Sequence, residues 1–498
     1  MSSSTASRTQ PESLTNLSEQ DVPTGRKNFS SQAPLMVSVS GVRGIVGESL
    51  TTDVVRAYVR SFASLKRNSK IVVGRDSRIS GPEIFTTVVE TLRCYNCDVI
   101  SLDIVPTPTV QLLVLQHNAA GGIVITASHN PIEWNGLKFV DNDGCFCSPQ
   151  VCEQIFSKAA KLLSETYIEN IDSPPNDYGS LSVYDDAIHD HITSILQIPC
   201  VDAPLIAKRK FKVALDTVNG AGGPIMSTLL SILGCTVIPL NIDTSGNFAH
   251  PPEPIPENLD QLCKVVVENQ CDLGIATDPD VDRCVLVGND GKPLGEELTL
   301  VLALQHFLSS LNPNPEDSRD IVKNCSTSCL VDYVAKQHQY NVVESKVGEI
   351  NVAQKMSQLG SVIGGEGNGG VMVTQCHIGR DAPVAASLVL SALAHFNGSI
   401  LELRNQLPVF EMVKTKKPVP SDLDIQSLLE PIVNSFSDRV VVSTLDGVKI
   451  SSVADGKNKW WVHLRPSNTE PIIRIIAECG PGAGYSCVDL IEIIEKVL

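Results

Sequence analysis

Short apolar runs alternate with amphipathic stretches in three successive cycles, and that alternation constrains the fold more than any other feature of the chain. KIVVGRD at 70–76, CDVISLD at 97–103 and GGIVITA at 121–127 make the first cycle, with a helical stretch from Pro82 to Arg93 between its first two runs. FKVALD at 211–216, TVIPLNI at 236–242 and CDLGIAT at 271–277 repeat it, and DIVKNCSTS, YNVVESKVG and SVIGGEG between 320 and 367 repeat it again. Strands buried on both faces need helices on both sides, so each cycle predicts a mostly parallel sheet with covering helices. The end of the chain differs. VVVSTLDGVKIS, KWWVHLRPS and PIIRIIAEC are strand-like runs flanked by helical segments, which predicts an antiparallel sheet. The expected fold class is α/β: three related mixed-sheet α/β domains with covering helices plus a smaller C-terminal α+β domain. Their expected bounds are 35–198, 199–307, 308–412 and 413–498, after a tail over 1–34 rich in Ser, Thr, Gln and Asn that reads as disordered. PVFEMVKTKKPVPS at 408–421, with three prolines and a run of lysines, reads as a linker.

At 498 residues the chain is too long for one ordinary hydrophobic core. Its 39 basic and 56 acidic residues give a formal charge of -17, which repels nucleic acid and anionic membrane at long range, so neither is an expected partner. A phosphate ester would have to be held by local Arg and Lys clusters. No apolar stretch reaches the roughly 18 residues needed to span a bilayer. The nearest, LTLVLALQHFLSSL at 298–311, is broken by Gln305 and His306 and reads as an amphipathic or buried helix. The 15 cysteines are odd in number and scattered in and beside apolar runs, which suits reduced thiols and a cytoplasmic chain. Cys94 and Cys97 have the spacing of a zinc or redox pair, but no metal-like spacing joins them to Cys145 and Cys147.

Four polar segments carry the chemistry. In TASHNPIEWNGLK at 126–138, Ser128, His129 and Lys138 offer a hydroxyl, a proton acceptor and a fixed positive charge; alone, the string reads equally as a strand-to-helix turn with Ser128 as a cap. In TDPDVDR at 277–283, Asp278, Asp280 and Asp282 alternate, so an extended loop would project all three to one side. Clustered carboxylates repel unless a cation sits among them, and an oxygen-only set favours Mg²⁺ over zinc. Arg283 adds a phosphate contact. GGEGNGG at 364–370 sets Glu366 and Asn368 among glycines that admit close backbone approach, with both side chains suited to sugar hydroxyls. RPSNTEP at 465–471 crowds Arg465, Ser467, Asn468 and Thr469 into a compact phosphate cradle. Of the weaker segments, HIGRDAP at 377–383 leaves the roles of Arg380 and Asp381 open, and DTVNGAGG at 216–223 has the wrong spacing for a dinucleotide fingerprint and reads as a tight turn. Arg474 reads as facing solvent.

Those four strings, in that order over residues 36–498, resemble the α-D-phosphohexomutases, and the sugar loop resembles the phosphoglucosamine mutase branch of that family. The resemblance implies a phosphoserine at Ser128, with His129 and Lys138 as proton-transfer or phosphate-orienting groups. It adds Arg43, from SVSGVRGIVG at 38–47, as a group pointing into the site. It also implies Mg²⁺ on Ser128, Asp278, Asp280 and Asp282, and substrate contacts from Arg283, Glu366, Asn368, Arg465, Ser467, Asn468 and Thr469. The expected reaction converts a hexosamine 6-phosphate to its 1-phosphate through a bisphosphorylated sugar, in a monomer or homodimer. Alternatives are a phosphomannomutase/phosphoglucomutase reaction and a non-catalytic scaffold that binds hexose or hexosamine phosphates. The chain departs from the family at Pro279 and Val281, where Gly is common, and at Asn368 and Gly370, where relatives usually carry Ser and His.

Overall fold

In each of the first three units one short apolar strand runs into a polar loop and the chain returns antiparallel beside it. The computed structural model describes residues 34–164, 178–311, 318–419, 425–436, 439–454, 456–466 and 472–498. Apart from Pro34, the tail expected over 1–34 lies outside the described residues.

The first sheet has seven strands, in the order Met36–Ser38, Gly41–Ile45, Trp134–Asp141, Gly121–Ile125, Lys70–Arg75, Asp98–Ile104 and Leu181–Val183. The last four strands of that order run parallel, whereas the N-terminal hairpin and Trp134–Asp141 pair antiparallel. The sheet is thus evenly mixed rather than mostly parallel. The second sheet runs Cys284–Val287, Leu273–Thr277, Lys212–Asp216, Thr236–Leu240, and the third Gly370–Val373, Ile363–Glu366, Asp320–Asn324, Asn341–Ser345. All three units therefore share one arrangement: a return strand, the loop-bearing strand, then two parallel strands. The loop-bearing strands Gly121–Ile125, Leu273–Thr277 and Ile363–Glu366 are buried along their whole length, which is why they read as near-continuous apolar or glycine runs.

The second and third units share a continuous apolar core. Helices Glu297–Ser310 and Ala382–Phe396 pack together within it. The first of these is the long apolar stretch at 298–311, buried rather than membrane-spanning, and no described helix is long and apolar enough to cross a membrane. All 15 cysteines are free thiols.

The last sheet is wholly antiparallel, in the order Glu411–Pro418, Ile472–Cys479, Trp460–Pro466, Val448–Ser452 and Val440–Ser443. The expected linker at 408–421 is thus largely an edge strand of this sheet. Its lysines and terminal proline are what an edge carries to block further pairing, and they masked its strand character. The sheet docks on the third unit through polar groups. Glu478 accepts hydrogen bonds from Cys329 N and Trp461 Nε1 at 2.8 and 2.6 Å and from Ser328 Oγ, while Lys449 Nζ donates to Glu344 at 2.6 Å.

Candidate active site

Ser128 stands at the end of strand Gly121–Ile125 in the left-handed region, at φ 52°, a costly conformation for a residue with a Cβ. Its N–H donates to Thr126 Oγ1 at 2.8 Å, and that hydroxyl donates to Asp76 Oδ2 at 2.6 Å. The fully buried guanidinium of Arg78 completes the support. It donates to the carbonyls of Ser128, Asn130, Pro131 and Trp134 at 2.6–2.8 Å, and its Nε lies 3.0 Å from Asp76 Oδ2. Asp76 and Arg78 were not singled out in the sequence, where they look like the polar end of a strand.

The Ser128 hydroxyl lies 3.2 Å from His129 Nδ1 and 3.2 Å from Asp278 Oδ2, so the serine and acidic loops meet. Arg43 Nη1 donates to Asn130 Oδ1 at 3.1 Å and reaches Ala127 O at 3.4 Å. Arg283 Nη2 lies 3.0 Å from His129 Nδ1, and its Nη1 lies 3.3 Å from Glu253, a third residue not singled out in the sequence. A guanidinium only donates, so this contact makes Nδ1 the acceptor and leaves the imidazole proton on Nε2, 3.6 Å from Glu253. Burial, then Arg283 and Arg43, hold His129 well below the usual imidazole range.

Asp278, Asp280 and Asp282 converge as expected, but not along an extended loop. The segment turns: Asp282 N and Arg283 N both donate to Asp278 Oδ1 at 3.2 Å, and Val281 is left-handed at φ 63°. All three carboxylates are fully buried and their oxygens lie within 4.8 Å of one another. Burial, then Asp282 and Asp280, push Asp278 well above the carboxylate range. Burial acts the same way on Asp282, but Arg380 and Lys138 outweigh it and hold the group down. Lys138 Nζ reaches Asp280 Oδ2 at 2.6 Å and Asp282 Oδ2 at 3.2 Å, and Thr107 Oγ1 donates to Asp280 Oδ2 at 2.6 Å. Lys138 is thus spent on the acidic loop rather than on Ser128. The Oδ1 atoms of Asp280 and Asp282 are buried and accept no hydrogen bond among the described residues, with Arg283 Nε 4.0 Å from the second. A hard, oxygen-only cluster with two orphaned buried oxygens fits a divalent cation such as Mg²⁺.

Glu366 ends the third loop-bearing strand with both oxygens engaged. Oε1 accepts from Asn324 Nδ2 and Gly348 N at 2.8 Å each, and Oε2 from Arg380 Nη1 at 3.0 Å. Asn368 Oδ1 is buried and unpartnered among the described residues. A backbone bond stitches this loop to the acidic one, Cys284 N to Gly369 O at 3.0 Å, and another, Ala382 N to Val281 O at 3.2 Å, ties the acidic loop to the start of helix Ala382–Phe396. Arg465 Nε donates to Asp446 Oδ1 at 3.3 Å and lies 3.2 Å from Oδ2, which accepts from Val347 N at 3.0 Å; the next residue, Gly348, bonds Glu366. Arg465 is in this way linked to the loop that bears Glu366. Arg474 is exposed and stands opposite Arg465 in the sheet register. Ser467, Asn468 and Thr469 lie outside the described residues.

A serine delivered to a buried carboxylate cluster where three like α/β units meet, with a sugar-type loop beside it, defines a phosphoryl-transfer enzyme built on a repeated scaffold. The chain belongs to the phosphoglucomutase/phosphomannomutase family and is a phosphohexomutase: residues 35–165, 189–291 and 295–410 match its α/β/α domains I, II and III. It is 33% identical over 444 residues to a probable phosphoglucosamine mutase of Methanopyrus kandleri, covering 88% of this chain and 92% of the relative. It is 34% identical over 448 residues to a phosphoglucomutase/phosphomannomutase of Thermococcus kodakarensis, covering 88% and 93%. Among solved structures it is similar to a phosphoglucomutase/phosphomannomutase family protein from Burkholderia thailandensis, with a TM-score of 0.77 at 25% identity over 93% of this chain and 98% of that one.

Proposed function

We propose that the enzyme interconverts glucosamine 6-phosphate and glucosamine 1-phosphate. Ser128 carries the phosphoryl group, the free sugar hydroxyl attacks it, and the Ser128 Oγ–P bond breaks as the sugar O–P bond forms. The resulting bisphosphate turns over, and the serine oxygen takes back the other phosphoryl group. His129, neutral and with Nδ1 beside Oγ, becomes the base for the hydroxyl proton when Arg283 turns from Nδ1 to the phosphoryl oxygens. Asp278, Asp280 and Asp282, with the serine phosphate, would hold Mg²⁺, which when bound neutralises charge on the phosphoryl oxygens. Arg43 and Arg283 orient that phosphoryl group. Arg465, with Ser467, Asn468 and Thr469, holds the phosphate that is not reacting.

The observation that carries the choice of sugar is the buried Oδ1 of Asn368, which has no hydrogen-bond partner among the described residues and lies two positions on from Glu366. A 2-ammonium group only donates hydrogen bonds, and an orphan acceptor beside a carboxylate suits it. A phosphoglucomutase/phosphomannomutase reaction is the second reading, favoured by the name of the Thermococcus relative. A coupled assay comparing the 6-phosphates of glucosamine, glucose and mannose decides between them, and a higher kcat/KM for mannose or glucose would overturn the first.

A further inference from the structure

Arg380 is a buried guanidinium that bonds three carboxylates from three places in the chain. Nη2 donates to Asp282 Oδ2 at 2.6 Å, Nη1 to Glu366 Oε2 at 3.0 Å, and Nε to Glu349 Oε2 at 3.1 Å. Asp282 belongs to the acidic loop of the second unit, whereas Glu366 ends the loop-bearing strand of the third. Glu349 opens helix Glu349–Leu359, and its Oε1 accepts from Gln111 Nε2 of the first unit at 3.1 Å. One side chain therefore reaches groups that belong to, or are bonded to, all three α/β units.

The position of Arg380 is fixed from both sides. The next residue, Asp381, caps helix Ala382–Phe396 by accepting from Val384 N at 2.9 Å. Its Oδ2 lies 2.7 Å from His191 Nε2 and 2.9 Å from His377 Nε2, hydrogen-bond distances that pin the turn. The stem of Arg380 runs past Gly370, where a Cβ would come within 2.3 Å of Cδ and 2.9 Å of Cγ. A long side chain can usually swing aside from such a contact. This one cannot without leaving its carboxylates, so a bare glycine at 370 is what its course requires.

We infer that Arg380 is a positioning residue for phosphoryl transfer, a strut that holds the sugar-loop carboxylate Glu366 at a fixed offset from the acidic-loop carboxylate Asp282. Its guanidinium is too basic to move a proton, so its contribution is geometry and charge. Asp282 Oδ2 is held by Arg380 and Lys138 together, which leaves Oδ1 without a hydrogen bond among the described residues, 4.0 Å from Arg283 Nε. Arg380 also adds positive charge where a cation would bind. The strut thus trades metal affinity for alignment, and this part of the inference rests on the acidic loop being the Mg²⁺ site.

Arg380→Met and Gly370→Ala test it, the second leaving the charge in the chain but displacing it. Both variants should lose turnover by about a hundredfold, as misalignment near reacting atoms does. Both should raise KM for the sugar phosphate, because Glu366 Oε2 loses its donor and the carboxylate can pivot on Oε1. Direct Mn²⁺ binding to the full chain, followed by electron paramagnetic resonance, should tighten by about threefold or more in each, since a buried positive charge has left the cluster. Arg380→Lys should fall between, and the double variant should be no worse than Arg380→Met. Mere damage to the fold predicts weaker, not tighter, Mn²⁺ binding. Unchanged or weaker binding in Arg380→Met, or wild-type kinetics in Gly370→Ala, would overturn the inference; where Arg380→Met does not fold, Gly370→Ala carries the test alone. If the wild type binds no Mn²⁺ that Asp278→Asn removes, the metal assignment falls, and the strut stands or falls on the KM and kcat effects and their non-additivity.

Discussion

The guanidinium of Arg78 donates from Nη2 to the main-chain carbonyl of Ser128 at 2.7 Å, fifty positions away in sequence. The serine's left-handed backbone is held open by this bond and by three others from Arg78 to the same loop. Arg78→Met should strip that support and leave Asp76 buried without its cation, which costs about 3–5 kcal/mol in comparable pairs. The expected outcome is a large loss of stability in denaturant unfolding. Pairing it with Asp76→Asn should recover part of the loss but not turnover. A single Arg78 variant of wild-type stability would show that the loop needs no such frame.

Ser128→Ala should abolish nearly all turnover while sugar-phosphate binding persists, because the arginines and the sugar loop do not depend on the hydroxyl. Intact-mass measurement should find the wild type partly phosphorylated and the variant not. Mutase activity in the alanine variant would end the covalent scheme.

The acidic loop predicts a metal requirement. Chelation should abolish turnover and added Mg²⁺ restore it. Asp280→Asn should weaken Mg²⁺ binding and cut activity sharply. It should also lower stability by about 1–3 kcal/mol, since Asp280 is the closest carboxylate to the buried Lys138. A variant with normal Mg²⁺ dependence would make the loop an ordinary turn.

The parts of the site that were legible in the sequence are those whose chemistry lies in one contiguous string: Ser128 with His129, the three aspartates, Glu366 with Asn368. Arg78, Glu253 and Glu349 were not, because each reaches the site through space, and Arg78 chiefly bonds main-chain carbonyls that no side-chain pattern announces. The alternation rule located the aspartates but gave the wrong backbone. Side chains alternate only on an extended chain, and here Asp278 folds the loop around its own Oδ1. The repeated α/β order was legible because buried strands must be apolar throughout. The edge strand Glu411–Pro418 was not, since lysines and prolines serve an edge and a linker alike.

Glu297 supplies a pH test. Its carboxylate faces Lys414, Glu296, Glu478 and the Ser328 N–H, directly beneath the sugar loop at Gly367. Burial pushes it up to about 7, with Lys414 pulling the other way and Glu296 adding to the rise. Between its ordinary value of 4.5 and about 7 the folded chain keeps a proton that the unfolded chain has released. Stability from this group is therefore full at low pH, falls as pH rises through that window, and is level above it. Glu297→Gln removes the titration. Relative to wild type, the variant should gain about 1–3 kcal/mol in denaturant unfolding between about pH 5 and pH 8. A pH-independent difference would place the titration elsewhere.

Sugar choice turns on Asn368. Its buried Oδ1 can accept from a 2-ammonium group, and Glu366 adds negative charge two positions away, so glucosamine 6-phosphate should be preferred over the glucose and mannose esters. Both oxygens of Glu366 are already engaged, so the carboxylate contributes mainly field, and the discrimination should be modest, about tenfold or about 1.4 kcal/mol. Asn368→Ser shortens the side chain and withdraws the acceptor, which should lower kcat/KM for the glucosamine ester and leave the other two little changed. Specificity constants for the three esters in both proteins check this. Equal losses on all three would mean that Asn368 shapes the loop rather than reads the 2-position.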